Sequence, residues 1–522
     1  MVNILISGYY GFDNIGDESI LRTLVSSLRE HIPDCSLTVL SHNPTSTREK
    51  YGVEAVDRMS PMAILRAVKK CDMLISGGGS LLQDVTSSKS LHYYLSIIRC
   101  AEFFHKKVFI YSQGIGPIDR PGNRRAAAAA LKRADGIVVR DERSASLLEE
   151  IGIARDKVVI TADPVIRMKK PDGDVGAEIL RKAGVSLDGR LTVGWAIRER
   201  DTDSRFVKEL LRSIQMMKDK YNAQSVLIPF HYEEDGEVCR HIAAQLPDDT
   251  AVCLNEKYLS EDMLSIIGNM DLLVGVRLHS LIYAAIMGVP LIGISYDPKC
   301  TAFLNSVGLD KLSTKENFTA ELFLPEAERV LETGKEQVEC VESHMAKLSR
   351  KLDTNEKMIC AIMEKSRKHT MQDPQNNTEK KDKSGVRTAG AISFVFLLTL
   401  FAKLLGVVRE MMQANIFGTG VDANLYTASY NSTLYLFTTM CYALCIAAVP
   451  ILTKEFAADR KRGEKAANNL LTITLLGSLA AVVLWQIFAS TRSGTLTQPS
   501  CRALRAISAS WPARCRSWRR RI

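Results

Sequence analysis

The chain of 522 residues has no basic lead and no long apolar core at its start. Residues 2–8 (Val-Asn-Ile-Leu-Ile-Ser-Gly) read as a first β-strand, which argues against a secretory signal there. Zinc-site and disulfide-framework spacings are missing too. The 12 cysteines are scattered, and in a chain expected to fold in the cytosol they are reduced core residues. A distributed surplus of charge is also lacking. The net charge of +9 is concentrated beyond Thr491, where Arg492, Arg502, Arg505, Arg514, Arg516, Arg519, Arg520 and Arg521 stand without any Asp or Glu. The remainder is near neutral, so nucleic acid is not an expected partner. No Gly-x-Gly-x-x-Gly follows a strand, which removes the dinucleotide fingerprint.

What is present is a folded composition, 46% apolar and 24% charged, on a chain long enough for two or three domains. From residue 1 to about 365, short apolar runs alternate with amphipathic stretches. Strands are predicted at 4–7, 37–40, 73–76, 108–112 and 136–139, with helices between them, for example at 18–30 and 123–133. A second series places strands at 192–196, 225–229, 272–274 and 291–294. Such alternation means parallel βαβ units. The expected fold is α/β: two doubly wound Rossmann-like domains, 1–165 and 190–365, facing a cleft, with a hinge at about 164–190. Ligands of such sheets bind at the carboxyl ends of the strands.

The composition then changes. Residues 366–388 form a polar, basic linker. Three apolar segments follow, at about 389–408, 433–452 and 470–489, each close to the ~20 residues a membrane-spanning helix needs. Basic residues before the first and between the second and third place the N-terminal domains in the cytoplasm, tethered to the membrane. The third span would then carry the Arg-rich tail outward, against that rule. We therefore expect residues 491–522 to be out of frame; resequencing that finds an intact frame there, with the same tail in relatives, would remove this expectation.

Four clusters carry chemistry. Gly8-Tyr9-Tyr10-Gly11-Phe12-Asp13-Asn14-Ile15-Gly16-Asp17-Glu18 follows the first strand and opens a helix, where backbone N–H groups favour anions. Asn14 and Asp17 are expected at the cleft. Ser76-Gly77-Gly78-Gly79-Ser80-Leu81-Leu82-Gln83-Asp84 follows another strand, and three consecutive glycines cost backbone entropy that a ligand's close approach would justify. Gln113-Gly114-Ile115-Gly116-Pro117 repeats the theme. In Val139-Arg140-Asp141-Glu142-Arg143, Arg140 ends a strand, and its planar fork suits carboxylate or phosphate. The most specific cluster is Gly275-Val276-Arg277-Leu278-His279-Ser280, followed after a helix by Ser295-Tyr296-Asp297-Pro298-Lys299. It sets two cations and a proton-transfer group at the ends of neighbouring strands.

On these residues the chain resembles the polysaccharide pyruvyl transferase family of the CsaB type. The matching motifs are Gly-Tyr-Tyr-Gly-x-x-Asn-x-Gly-Asp-Glu, Ser-Gly-Gly-Gly, Ser-Gln-Gly-Ile-Gly-Pro, Arg-Leu-His-Ser and Ser-Tyr-Asp-Pro-Lys, in order over residues 1 to about 365. The resemblance implies a fold similar to GT-B glycosyltransferases. It also implies transfer of the pyruvyl group of phosphoenolpyruvate onto a β-N-acetylmannosamine of a secondary cell-wall polymer, expected to be lipid-linked in the precursor, as a 4,6-ketal that anchors surface-layer proteins. On that reading Arg140, Arg277 and Lys299 hold the donor's phosphate and carboxylate, and His279 is a general acid or a phosphate ligand. Asn14, Asp17, Asp84 and Asp297 are acceptor or base candidates, with Gly78 and Gly79 beside the substrate. No metal and no cofactor is expected. Residues 389–490 resemble the first spans of an MviN-type lipid II flippase, through Leu404-Leu405-Gly406-Val407-Val408-Arg409-Glu410 and Ile416-Phe417-Gly418-Thr419-Gly420. Two other readings stay open: a GT-B-type glycosyltransferase, and a lipid-linked precursor flippase with an N-terminal regulatory domain.

Overall fold

The computed structural model describes residues 2–85 and 87–371, with Asn469 and Thr472. The apolar segments at 389–408, 433–452 and 470–489 and the tail 491–522 lie outside the described residues, apart from Thr472. Among the described residues no helix is long and apolar enough to cross a membrane.

Met1–Gln375 form one compact unit built on two parallel sheets. The first contains β1 (Val2–Tyr10), β2 (Cys35–Ser41), β3 (Glu54–Asp57), β4 (Met73–Ser76), β5 (Lys107–Gln113), β6 (Gly136–Val139) and β7 (Val158–Ile160), in the order β3-β2-β1-β4-β5-β6-β7. The second contains β8 (Thr192–Ala196), β9 (Gln224–Leu227), β10 (Ala251–Cys253), β11 (Leu272–Gly275), β12 (Leu291–Ser295) and β13 (Ser313–Thr314), in the order β10-β9-β8-β11-β12-β13. Both orders reverse beside their first strand, and crevices open at the carboxyl ends of strands where the order reverses. The central strands are apolar because they are covered on both faces. Ile4, Leu5 and Ile6 are buried between β2 and β4, with Ile6 in register with Val39 and Ile75.

The segment expected as a hinge is partly structured. Its helix Val175–Lys182 belongs to the second half: Gly176 N–H donates to Ser265 Oγ at 2.8 Å, and Leu180 packs with Met263 and Ile267. The last helix, Gly334–Met371, runs past the expected domain end at 365 into the stretch assigned to a linker. It ties the halves together. Val341, Met345 and Leu352 join the core of the second half, whereas Ile359 and Met363 pack with Val2, Ile4 and Phe109 of the first. Between them the buried Asn355 donates to Ser112 Oγ at 2.8 Å, and Glu356 accepts from Ser27 Oγ at 2.6 Å and Tyr111 at 3.1 Å.

Candidate active site

The two switch points face one cavity of about 640 Å³. The halves meet at its floor: Ile15 N–H donates to the Phe230 carbonyl at 3.3 Å, and Asn14 bridges to His231. Several helices of the described residues start at this cavity, among them Ile15–His31, Leu278–Met287 and Pro298–Ser306. Their free N–H groups and positive dipole ends favour an anion there.

Asn14 caps the first of these helices, its Oδ1 accepting from Gly16 N–H at 3.1 Å and Asp17 N–H at 3.4 Å. Asp17 stands one turn in, and its carboxylate accepts no hydrogen bond from a described residue. Burial and the nearby Glu18 push its pKa up to about 7 against the pull of Lys299 and Arg140. Gly79, at φ +90°, lines the same spot; a Cβ there would come within 2.9 Å of Asp17 Oδ1. Gly79 therefore has both a backbone and a spatial reason to be glycine.

Arg140 leaves β6 and is almost buried. Its Nη1 donates to Asp163 Oδ2 at 2.9 Å and its Nη2 to Ser80 Oγ at 3.0 Å. Burial opposes its charge, yet Asp163 and Asp141 hold its pKa above the ordinary value. A Cβ on Gly114 would lie 2.5 Å from Arg140 Nη2, so the Gly114 site leaves the guanidinium its room. Arg277, opposite, is held by Asp235, which is itself fixed by His231 N–H at 2.8 Å. His279 rests on Gly16: an added Cβ would meet its Nδ1 at 2.0 Å. Its Nε2 has no hydrogen-bond partner among the described residues and lies 3.8 Å from Asp163 Oδ2. Burial first, then Arg140, Lys299 and Arg277, lower its pKa to about 4 despite Asp163. Lys299 lies 3.3 Å from Asp297 Oδ2, and Asp297 caps its own helix through Lys299 N–H at 3.0 Å.

Asn14, Asp17, Gly79, Arg140, Arg277, His279, Asp297 and Lys299 thus share one cavity. Gly78 and Asp84 do not line it. Gly78 gives the Ile15–His31 helix room, since a Cβ would touch Ile20 Cγ2 at 2.9 Å. Asp84 faces away and fixes the following loop, accepting from Asp119 N–H at 2.9 Å, Arg120 N–H at 3.1 Å and Asn123 Nδ2 at 2.8 Å. Sequence reasoning missed Asp163, Asp235, Arg198 and the aromatic wall of Tyr9 and Tyr94. One signal existed: the Asp-Pro pair 163–164 repeats Asp297-Pro298, each opening a helical turn after a strand.

A family model described as polysaccharide pyruvyl transferase matches residues 14–298, more than half of the chain. The chain belongs to the polysaccharide pyruvyl transferase family. The matched span runs from Asn14 to Pro298 and so includes the cap of the first helix, Arg140, Arg277 and His279. A curated relative is the Amylovoran biosynthesis protein AmsJ of Erwinia amylovora, 21% identical over 370 residues, covering 60% of this chain and 88% of that protein. Among solved structures, Anabaena HepE in complex with UDP-glucose matches with a TM-score of 0.50 and 11% identity, over 70% of this chain and all of that one. The same protein with UDP matches with a TM-score of 0.50 and 10% identity, over the same shares. These likenesses establish that this pyruvyl transferase has the GT-B-like arrangement of two parallel-sheet domains.

Proposed function

We propose that the enzyme transfers the pyruvyl group of phosphoenolpyruvate to two hydroxyls of one sugar of a cell-surface polysaccharide precursor. The observation that carries this is the pairing of an unpartnered, near-neutral-titrating carboxyl, Asp17, with a neutral imidazole, His279, in a cavity holding Arg140, Arg277 and Lys299. The donor is a phosphate and a carboxylate on one small frame. The guanidiniums and the helix N-termini suit both groups.

In this reading Asp17 gives its proton to the donor's methylene carbon, which becomes methyl and leaves C2 electrophilic. A sugar hydroxyl adds to C2 and passes its proton to His279 Nε2. His279 returns that proton to the bridging oxygen as the C2–O bond to phosphate breaks. The second hydroxyl closes the ketal on C2, and its proton restores Asp17. The buried imidazole, neutral at pH 7, favours the base role over a resting general acid. Arg277 and Arg140 neutralise the departing phosphate.

The acceptor in this proposal is a β-N-acetylmannosamine of a secondary cell-wall polymer, made as a 4,6-ketal that surface-layer proteins recognise. The support is the order and spelling of the five motifs. The catalytic unit works in the cytoplasm, and the apolar segments after residue 388, of the kind found at the start of MviN-type flippases, tether it to the membrane. The test is to incubate the full chain with phosphoenolpyruvate and an aryl β-N-acetylmannosaminide, following phosphate release and acceptor mass. A pyruvyl gain that disappears in His279→Ala and Arg277→Ala supports the reading. Glycosyl transfer from a sugar nucleotide, with no pyruvyl gain, would replace it.

A further inference from the structure

The cavity changes character along the first sheet. At the β6 end stands Arg140, with Lys299 and His279 across from it. At the β1 and β4 end the lining includes Tyr9, Leu81, Val85, Ser90 and Tyr94, with Asp17 the carboxyl nearest to both rings. Three strand spacings separate β1 from β6, roughly 14 Å. A small trianionic donor set between these cations and Asp17 leaves the Tyr9 side of the cavity free for a second substrate.

The aromatic end is firmly built. Tyr9 stacks on Phe12 with centroids 4.1 Å apart and planes 5° from parallel, and Phe12 stacks on His42 at 4.4 Å and 4°. Behind them lies Arg58, only 7% exposed. Its guanidinium carbon is 5.8 Å from the Tyr9 ring centre, 5.1 Å from Phe12, 4.6 Å from Tyr93 and 5.5 Å from Tyr94. It donates to the Gly8 carbonyl at 3.0 Å and to the Tyr94 hydroxyl at 3.3 Å, and Tyr93 returns a bond to the Arg58 carbonyl at 2.9 Å. No carboxylate among the described residues pairs with it. A buried guanidinium without a counter-ion is costly, and four ring faces compensate it only in part. The arrangement locks Tyr9, near the end of β1, to Tyr94, on the Ser88–Phe103 helix.

We propose that this wall, with the partly exposed Tyr9 as its ring face and the buried Tyr94 as its backing, is the saccharide subsite, taking a pyranose ring of the acceptor, and that Arg58 is the positioning residue that holds the wall. The proposal rests on the pyruvyl-transfer reading above for the direction in which the acceptor hydroxyls point. A pyranose presents an apolar C–H face that lies on an aromatic ring, and hydroxyls at its rim that reach polar groups such as Ser90. Pockets of this kind combine an aromatic floor with few placed polar groups. A nucleotide base could also stack on such a ring, and the test separates the two.

The test measures direct binding to the full chain in detergent, apart from turnover. The probes are an aryl β-N-acetylmannosaminide, followed by saturation-transfer NMR, phosphoenolpyruvate and UDP. In Tyr9→Leu, Arg58→Met and Ser90→Trp, glycan affinity should fall at least tenfold, with phosphoenolpyruvate affinity within twofold of wild type. Tyr9→Phe should keep glycan binding, and in turnover the acceptor KM should rise while the donor KM holds. Melting curves select variants that still fold, and Ser90→Trp, at a partly exposed helical position, guards against collapse of the buried cage. Glycan affinity unchanged in all three folded variants overturns the proposal. So does loss of donor and glycan affinity together, or a wall that binds UDP and no saccharide. A wild type that binds glycan at this wall yet transfers no pyruvyl group would uphold the subsite and remove the pyruvyl-transfer reading instead.

Discussion

Asp17 and His279 face one cavity with reversed protonation habits. The carboxyl titrates at about 7, so it keeps a proton near neutrality, whereas the imidazole, at about 4, has none to give. Activity that needs protonated Asp17 and neutral His279 falls below about 4 and above about 7, so kcat/KM of the free enzyme should be bell-shaped with limbs near those values. A profile flat from pH 5 to 9 would remove Asp17 from the proton-transfer role. The same burial carries a stability cost. Asp17 titrates above its ordinary value of 3.8, so its contribution to folding is present at low pH and is lost as pH rises through about 7. For His279, lowered from 6.5, the contribution is present above the ordinary value and is lost as pH falls through about 4. Asp17→Asn should therefore raise the melting temperature more at pH 8 than at pH 4 while lowering kcat by about 10²–10⁴. Asp163→Asn should act differently: it unhooks Arg140, so donor KM should rise, on the order of tenfold or more, ahead of any change in acceptor KM. The cations and His279 were legible in the sequence because they sit at strand ends within compact motifs. Their carboxylate partners were not: Asp163 reaches Arg140 from 23 residues away and Asp235 reaches Arg277 from 42 away. Asp84 looked like a site residue because it follows three glycines; only the fold shows its oxygens turned to Asp119, Arg120 and Asn123.

At the scale of elements, the helix starting at Ile15 acts as a seat for an imidazole from the other half. Gly16 is its second residue, and its missing side chain is what lets His279 lie against the helix. Gly16→Ala suits the helix, worth up to ~1 kcal/mol in a helix interior, but places a methyl 2.0 Å from His279 Nδ1. The expected result is a melting temperature changed by a few degrees and kcat/KM reduced by ~10-fold or more, because a ring displaced by about an ångström loses its alignment. Unchanged kinetics would show that His279 can work from another position. Apolar runs made the central strands legible, the expected 4–7 and 73–76 falling inside β1 and on β4. The edge strands β3, β7, β10 and β13 escaped because they are short and only partly buried, without the continuous apolar run that marks the fully buried β4, β6 and β11 of four residues each. The register that carries Tyr9 to the same cavity as Tyr94 is set by pairing between distant segments, which local pattern does not encode.

For the catalytic unit as a whole, the question is whether the site belongs to one sheet or to two. Asn14, Asp17, Gly79 and Arg140 come from the first half; Arg277, His279 and Lys299 come from the second. The halves are joined at several points, among them the backbone contact of Ile15 with Phe230, the Arg22–Glu261 ion pair at 2.7 Å, the Ser19–Tyr283 hydroxyl pair and the Gly334–Met371 helix, whose Ile359 is fully buried on the first half. That helix reads in sequence as a domain end, since its amphipathic pattern does not say which half its apolar stripe will cover. Removing the anchor with Ile359→Ala should cost ~2–5 kcal/mol and lower donor affinity as well as stability, because it loosens one half from the other. The donor should act in reverse. A ligand that touches both halves stabilises them as one body, by ~2.7 kcal/mol at a hundred times its Kd. Calorimetry with phosphoenolpyruvate should therefore move the transition of the catalytic unit upward in one step, and the upward shift should shrink when either Arg140 or Lys299 is replaced by Ala. A melt that separates into two transitions, with the donor moving only one of them, would mean that a single sheet holds it. The proton transfers assigned to Asp17 on one side of the cleft and to His279 on the other would then have to be confined to one half.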